Sequence, residues 1–250
     1  MKIGLLIEGM NAPGGVRKCV AELFKMLTAK GYEVKLLTRE HLQLDRLLKW
    51  LDRDVALKLV KNYIFVSKHP ANLSTIRKFD LVINCKANEI LSPAHVQWFH
   101  GLPAQDHEKK VFTRNILNMF RERVHTWYAK ICKLTLSNSR YVQHLLKDKL
   151  GINSVVVYPP VESRRIFKLV NPYRKVHHRT KRRRTIVTIC RIEKGRNLEI
   201  IPYIASRTRN VSFIVAGYVK DPKVLEKINA LIKRMNLDNV RVIQNPSKKD

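Results

Sequence analysis

Apolar and polar positions along the chain fall into blocks that read as short strands, each followed by an amphipathic helix. The run over 3–7 is apolar, breaks into Asn11-Ala12-Pro13-Gly14-Gly15, and passes into a helical period over 16–30. There Val16, Val20, Leu23 or Phe24 and Leu27 share one face, and Gly31 stands where a C-cap belongs. Further strands are predicted over 34–38, 81–84, 96–100, 134–137 and 155–158, with helices over 42–60, 111–131 and 141–150, the last preceded by Asn138-Ser139 and closed by Gly151. Pro159-Pro160 ends this half, because proline cannot donate to a ladder. The pattern resumes with strand 186–190, helix 198–206, strand 212–216, helix 223–235 and strand 240–243. Alternation of this kind predicts parallel sheets covered by helices. The expected organisation is an α/β domain over 1–161, a basic linker over 162–184 and a smaller α/β domain over 185–250.

Twice the pattern runs strand, glycine-containing turn, helix: at 3–30, and again where strand 185–190 meets Arg191-Ile192-Glu193-Lys194-Gly195-Arg196-Asn197. Such junctions bind phosphate-bearing ligands, since free backbone N–H groups and the helix dipole favour an anion. Two of them suggest two sheets facing one cleft. Gly14 and Gly15 would let the backbone approach a ligand, while Arg17 and Lys18 put positive charge in a first turn where it opposes the dipole. An anion there relieves that conflict; an ordinary tight turn is the plainer alternative. Neither G-x-G-x-x-G nor G-K-[ST] is present in this stretch, which weakens the dehydrogenase and P-loop ATPase readings. Arg191 and Arg196 offer two planar guanidinium forks able to bracket a diphosphate. His100 is placed at the carboxyl edge of the first sheet, where α/β folds assemble sites.

Charge narrows the partners. The chain has 250 residues, 45% of them hydrophobic, and a formal charge of +29, so it can bury a real core and attracts anions: nucleic acid, an anionic membrane or a phosphorylated substrate. Ten Lys or Arg and no acid lie between Ser163 and Thr185, which reads as a solvated linker. The helix over 111–131 carries Lys109, Lys110, Arg114, Arg121, Arg123 and Lys130 near an apolar face with Phe112, Phe120, Trp127 and Tyr128; these aromatics are expected in the core, with lipid contact as the alternative. Cys19, Cys85, Cys132 and Cys190 are scattered, which predicts reduced thiols, no metal site and no disulfide framework. The early strand argues against a signal peptide, and no apolar stretch nears the ~20 residues of a spanning helix, so a cytoplasmic location with at most peripheral membrane contact is expected.

Taken in order, Asn11 to Arg17, the strand-end histidine, Ser137-Asn138-Ser139, Val157-Tyr158-Pro159-Pro160-Val161 and Arg191 to Asn197 resemble the family 4 glycosyltransferases of GT-B fold. The resemblance implies two Rossmann-like domains, the acceptor mainly on the first and a nucleotide-sugar donor mainly on the second, and transfer with retention of configuration. It implies donor-diphosphate contacts from Gly14, Gly15, Arg191 and Arg196, a sugar-side role for His100, acceptor-side roles for Asn11 and Arg17, and no cofactor or metal. Arg196 stands where the family usually has lysine. The family's E-x7-E segment has no counterpart in this sequence, which leaves the second domain incomplete and implies a fragment, a second polypeptide that completes it, or lost activity. A lipid-linked or polysaccharide acceptor is expected. The alternatives are a non-catalytic protein that binds nucleic acid through 174–184, disfavoured because no helix-turn-helix, RNP or zinc pattern appears in the sequence, and a remnant that binds a partner glycosyltransferase.

Overall fold

A computed structural model describes residues 1–66, 73–103, 112–160 and 184–246. The expected linker lies outside them except for Arg184, as do Lys109, Lys110 and Val161. Internal contacts divide the chain into two compact units, Met1–Ile166 and Phe167–Asp250.

The described part of the first unit runs β1 (Lys2–Ile7), α1 (Gly15–Ala29), β2 (Glu33–Thr38), α2 (Leu44–Leu48), α3 (Arg53–Lys61), β3 (Tyr63–Phe65), α4 (Leu73–Ile76), β4 (Leu81–Asn84), β5 (Val96–Phe99), α5 (Phe112–Ile131), β6 (Leu134–Ser137), α6 (Arg140–Leu150) and β7 (Val155–Val156). Its strands form one parallel sheet in the order β3-β2-β1-β4-β5-β6-β7. Central β1 is buried on both faces: Ile3, Leu5 and Ile7 join Val20, Ala21 and Phe24 of α1 in one cluster, while Leu6 joins Leu37, Val82 and Ile90 in another. A strand covered on both sides reads as a continuous apolar run, which is what 3–7 shows.

The predicted helix over 42–60 is two helices. At about 100° per residue, Leu47 and Leu59 would point about 120° apart on one straight helix. Both are fully buried, and the break at 49–52 resets the phase so that both face the core. Strand β3 is an addition to the predicted set; it pairs with β2 at the sheet edge. The strand predicted over 96–100 stops at Phe99, and the one predicted over 155–158 has two residues.

Helix α5 departs most from expectation. Phe120 and Trp127 are 65% and 56% exposed, not in the core. Among the described side chains of α5 the buried ones are His125 and Ala129, and Ala129 packs with Val142 and Leu146 of α6. Burial, with help from Arg121, pushes the His125 pKa down to about 4 against a backbone bond to Ala87. The fold therefore holds a neutral imidazole. Stability from this group is complete above the ordinary histidine value of 6.5 and is lost as pH falls from there toward 4, by up to about 3 kcal/mol. Urea unfolding at pH 7 and pH 4.5 should show that loss in the wild type and a smaller one in His125→Gln.

The second unit is β8 (Thr185–Ile189), α7 (Ile200–Arg207), β9 (Ser212–Gly217), α8 (Pro222–Arg234) and β10 (Val240–Gln244), with parallel strands in the order β10-β9-β8. Phe213 and Val215 of β9 pack on Ile201 and Ala205 of α7 and on Val224 and Ile228 of α8. Asp221 caps α8 by accepting from the Lys223 amide, and Pro222 fills the first turn, where its missing N–H removes no helical bond. Helix α7 begins at Ile200, not Leu198: Leu198 is buried two residues earlier, in the turn that leads into the helix, and Asn197 before it is left-handed at φ 51°.

Candidate functional site

In the first sheet the chain leaves β1 toward β2 and later returns to β4 on the other side of β1, so the winding reverses between these neighbours. Doubly wound sheets open a crevice at that reversal, beyond the carboxyl ends of the strands. Here the two sides are tied by an ion pair: Lys86, just past β4, lies 3.7 Å from Glu8, just past β1, and also meets Glu89. A buried network holds the Lys86 loop. The Asn84 amide donates to the Ile90 carbonyl and to Gln97, each at 2.9 Å, Gln97 donates to the Ser92 carbonyl at 2.8 Å, and the Lys86 N–H donates to Asn84 at 3.2 Å.

The loop after β1 is braced from below. The Asn11 amide donates to the His41 carbonyl at 2.7 Å and accepts from the Gln43 N–H at 2.8 Å, and Arg17 folds back to donate to the Gly9 carbonyl at 2.8 Å. Both candidate acceptor-side residues are thus engaged in shaping the loop. Gly14 is the N-cap of α1, with no side chain capping the helix and no acid in its first turn. Its φ of 173° is open to any residue. A Cβ on Gly15 would meet nothing within 4 Å, and one on Gly14 would meet only the Arg17 guanidinium at 3.4 Å. The chain's own packing does not demand glycine at either position. Close approach of a ligand to the helix amides would.

His100 follows β5 directly. Its Nε2 lies 3.1 Å from the Cys85 carbonyl, so Nε2 carries the proton and Nδ1 is left as an acceptor. Burial is the main cause that lowers its pKa, and the ring rests 5.0 Å from Trp98. Asn138 donates to the His100 carbonyl at 3.4 Å, and Ser139 caps α6 through the Val142 N–H at 3.2 Å. The Ser-Asn-Ser motif therefore joins the ends of β5 and β6. All four cysteines are free.

In the second unit, the turn after β8 brings three cations to one carboxylate. Arg191 and Arg196 lie 3.0 and 3.4 Å from Oε1 of Glu193, and Lys220 Nζ lies 2.7 Å from Oε2. These contacts hold the Glu193 pKa below its ordinary value, the Lys220 bond first among them. The turn needs a left-handed residue, supplied by Gly195 at φ 85°. It is anchored by the Ile192 carbonyl, which accepts from the Lys220 and Asp221 amides at 3.0 and 3.1 Å. Arg191 and Arg196 keep 52% and 47% of their side chains exposed. Sequence reasoning placed these two arginines in one loop but missed their meeting point, Glu193, as well as Lys86 and Lys220. A charged residue directly after an apolar run is the signal that Lys86 and Lys220 share.

A doubly wound seven-stranded sheet and a second, smaller parallel sheet are the two-unit α/β architecture of the GT-B glycosyltransferases. The chain belongs to glycosyltransferase family 4, whose model matches residues 13–165. Similar solved structures include a glycosyltransferase from Rickettsia africae ESF-5 (TM-score 0.62, 14% identity, 98% of this chain and 68% of that one). A UDP-GlcNAc 2-epimerase from Neisseria meningitidis bound to UDP-GlcNAc is also similar (0.53, 12%, 99% and 73%). So is the S. aureus MnaA–UDP co-structure (0.52, 12%, 97% and 68%). No curated protein sequence matches the chain.

Proposed function

We propose that the chain transfers a hexosyl group from a nucleotide-diphosphate sugar to a lipid-linked or polysaccharide acceptor, with retention of configuration. The observation that carries this reading is the convergence of Arg191, Arg196 and Lys220 on one carboxylate, a seat already shaped for an anion. The donor diphosphate engages the exposed sides of both guanidinium groups while Glu193 keeps them oriented. Cleavage of the sugar–phosphate bond leaves charge on the departing oxygens, and fixed guanidinium donors stabilise it without reorganising. In this proposal no metal is required. The amides that open α1 at Gly14 and Gly15 receive donor phosphate oxygens. His100, with Nε2 committed to Cys85, offers Nδ1 to a sugar hydroxyl and positions the sugar. Asn11 and Arg17 form the acceptor side through the loop they brace.

Two of the similar structures hold UDP or UDP-GlcNAc, so uridine nucleotides are the first donors to try. Incubation with a panel of UDP-, GDP- and ADP-sugars should release nucleoside diphosphate for at least one donor, at a rate that rises with a lipid-linked or glycan acceptor. Melting temperatures unmoved by every donor would overturn the proposal. Gly15→Val gives a sharper test. It should change stability by no more than about 0.5 kcal/mol, because the site is open, yet weaken donor binding about tenfold, or ~1.4 kcal/mol, by blocking the helix amides. Calorimetric titration reads the second effect and urea unfolding the first.

A further inference from the structure

Helix α5 is apolar on the side it turns outward. Phe120, Val124, Trp127 and Ile131 recur at i, i+4, i+7 and i+11 and so form one stripe along the helix. Phe120 is 65% exposed and Trp127 and Ile131 are each 56% exposed. Arg121 borders the stripe on one flank. On the other, Arg123 and Lys130 join Met119, Trp127 and Lys149 around a surface groove of about 450 Å³, whose single acidic wall residue is Glu122. The opposite face of the helix is the buried one, through His125 and Ala129. Over 119–131 the packing of α5 thus uses a narrow strip, and large aromatic side chains remain in water between cations.

We propose that this face docks on an anionic lipid bilayer, with Phe120, Trp127 and Ile131 entering the headgroup region and Arg121, Arg123, Lys130 and Lys149 meeting lipid phosphates. Apolar side chains flanked by cations on one face of a helix match the two layers such a surface presents. Charge complementarity selects the occupant. A second copy brings another +29 against the first, and a nucleic acid satisfies the cations while leaving the stripe uncovered. No helix among the described residues is long and apolar enough to cross a membrane, so the contact is peripheral. The proposal is independent of the sugar-transfer reading.

The test is flotation of the full chain with phosphatidylcholine vesicles with and without phosphatidylglycerol, at low and high salt, alongside Trp127 fluorescence. The wild type should bind the anionic vesicles at least about tenfold more tightly, weaken with salt and show a blue shift that Trp127→Phe abolishes. Phe120→Ser/Trp127→Ser and Arg123→Gln/Lys130→Gln should each lose at least about tenfold. Their circular dichroism and melting should match the wild type, since the altered side chains are exposed. Phe120→Gln/Trp127→Gln serves if the serine variant fails to fold. Equal binding by the wild type and the aromatic variant would overturn the proposal, as would equal binding to neutral and anionic vesicles. Duplex DNA bound more tightly than vesicles, or a dimer dissolved by Phe120→Ser/Trp127→Ser, would also overturn it and assign the face to nucleic acid or to a second copy.

Discussion

Replacing both arginines of the second unit, Arg191→Ala/Arg196→Ala, is expected to lower the affinity for a nucleotide diphosphate about a hundredfold, with transfer falling in parallel. A hydrogen bond to a charged group contributes about 1.5–3 kcal/mol. The exposed setting of both side chains places each at the lower end of that range, which gives a total of about 3 kcal/mol, or roughly a hundredfold. Fold stability should barely move, because Glu193 keeps Lys220 at 2.7 Å and exposed ion pairs add little. Isothermal titration with UDP and an unfolding curve separate the two quantities. A loss under threefold would assign the diphosphate to other groups.

The second large effect belongs to Gly217, which binds nothing. A Cβ built there falls 1.6 Å from the Cys190 carbonyl oxygen and 2.8 Å from its carbon. These are backbone atoms of the adjoining chain, directly before Arg191, so no side-chain rotation relieves the clash. Gly217→Val must push the end of β8 away from β9, breaking the Cys190 N–H bond to the Ala216 carbonyl at 3.1 Å and the Ile192–Val219 bridge. Overpacking costs about 1–3 kcal/mol where neighbours can shift; with backbone on the far side, more than about 3 kcal/mol is expected. Thermal unfolding should become biphasic, with the second unit melting first, and UDP binding should be lost because Arg191 moves. A Gly217→Val chain that melts like the wild type would contradict this account of how the turn is held.

What the sequence made legible follows from range. Strands 81–84 and 134–137 were readable to the residue because each is a short run of strand-favouring residues, Leu-Val-Ile or Leu-Thr-Leu, that begins directly after a charged residue, Asp80 or Lys133, and closes on a small polar one, Asn84 or Ser137. The break between α2 and α3 was not, since it arises from two leucines competing for one core, a tertiary demand invisible to a local period. Gly14, Gly15, Arg191 and Arg196 could be picked out because each stands on the stretch that leads from a strand into the start of the next helix. Glu193 was in view, but its role depends on Lys220, which reaches it only through the pairing of β8 with β9. Helix periodicity located the aromatics of α5 and could not say which apolar side the sheet would cover; the small Ala129, not Trp127, faces inward.

Phosphorus NMR of UDP titrated with the full chain tests the central claim most directly, because it observes the groups that the arginine turn is proposed to hold. Both phosphate resonances should shift and broaden with the wild type and stay unperturbed with Arg191→Ala/Arg196→Ala at the same ionic strength. A UDP spectrum unchanged by the wild type, or perturbed equally by the double variant, would contradict the assignment of this turn as the diphosphate site.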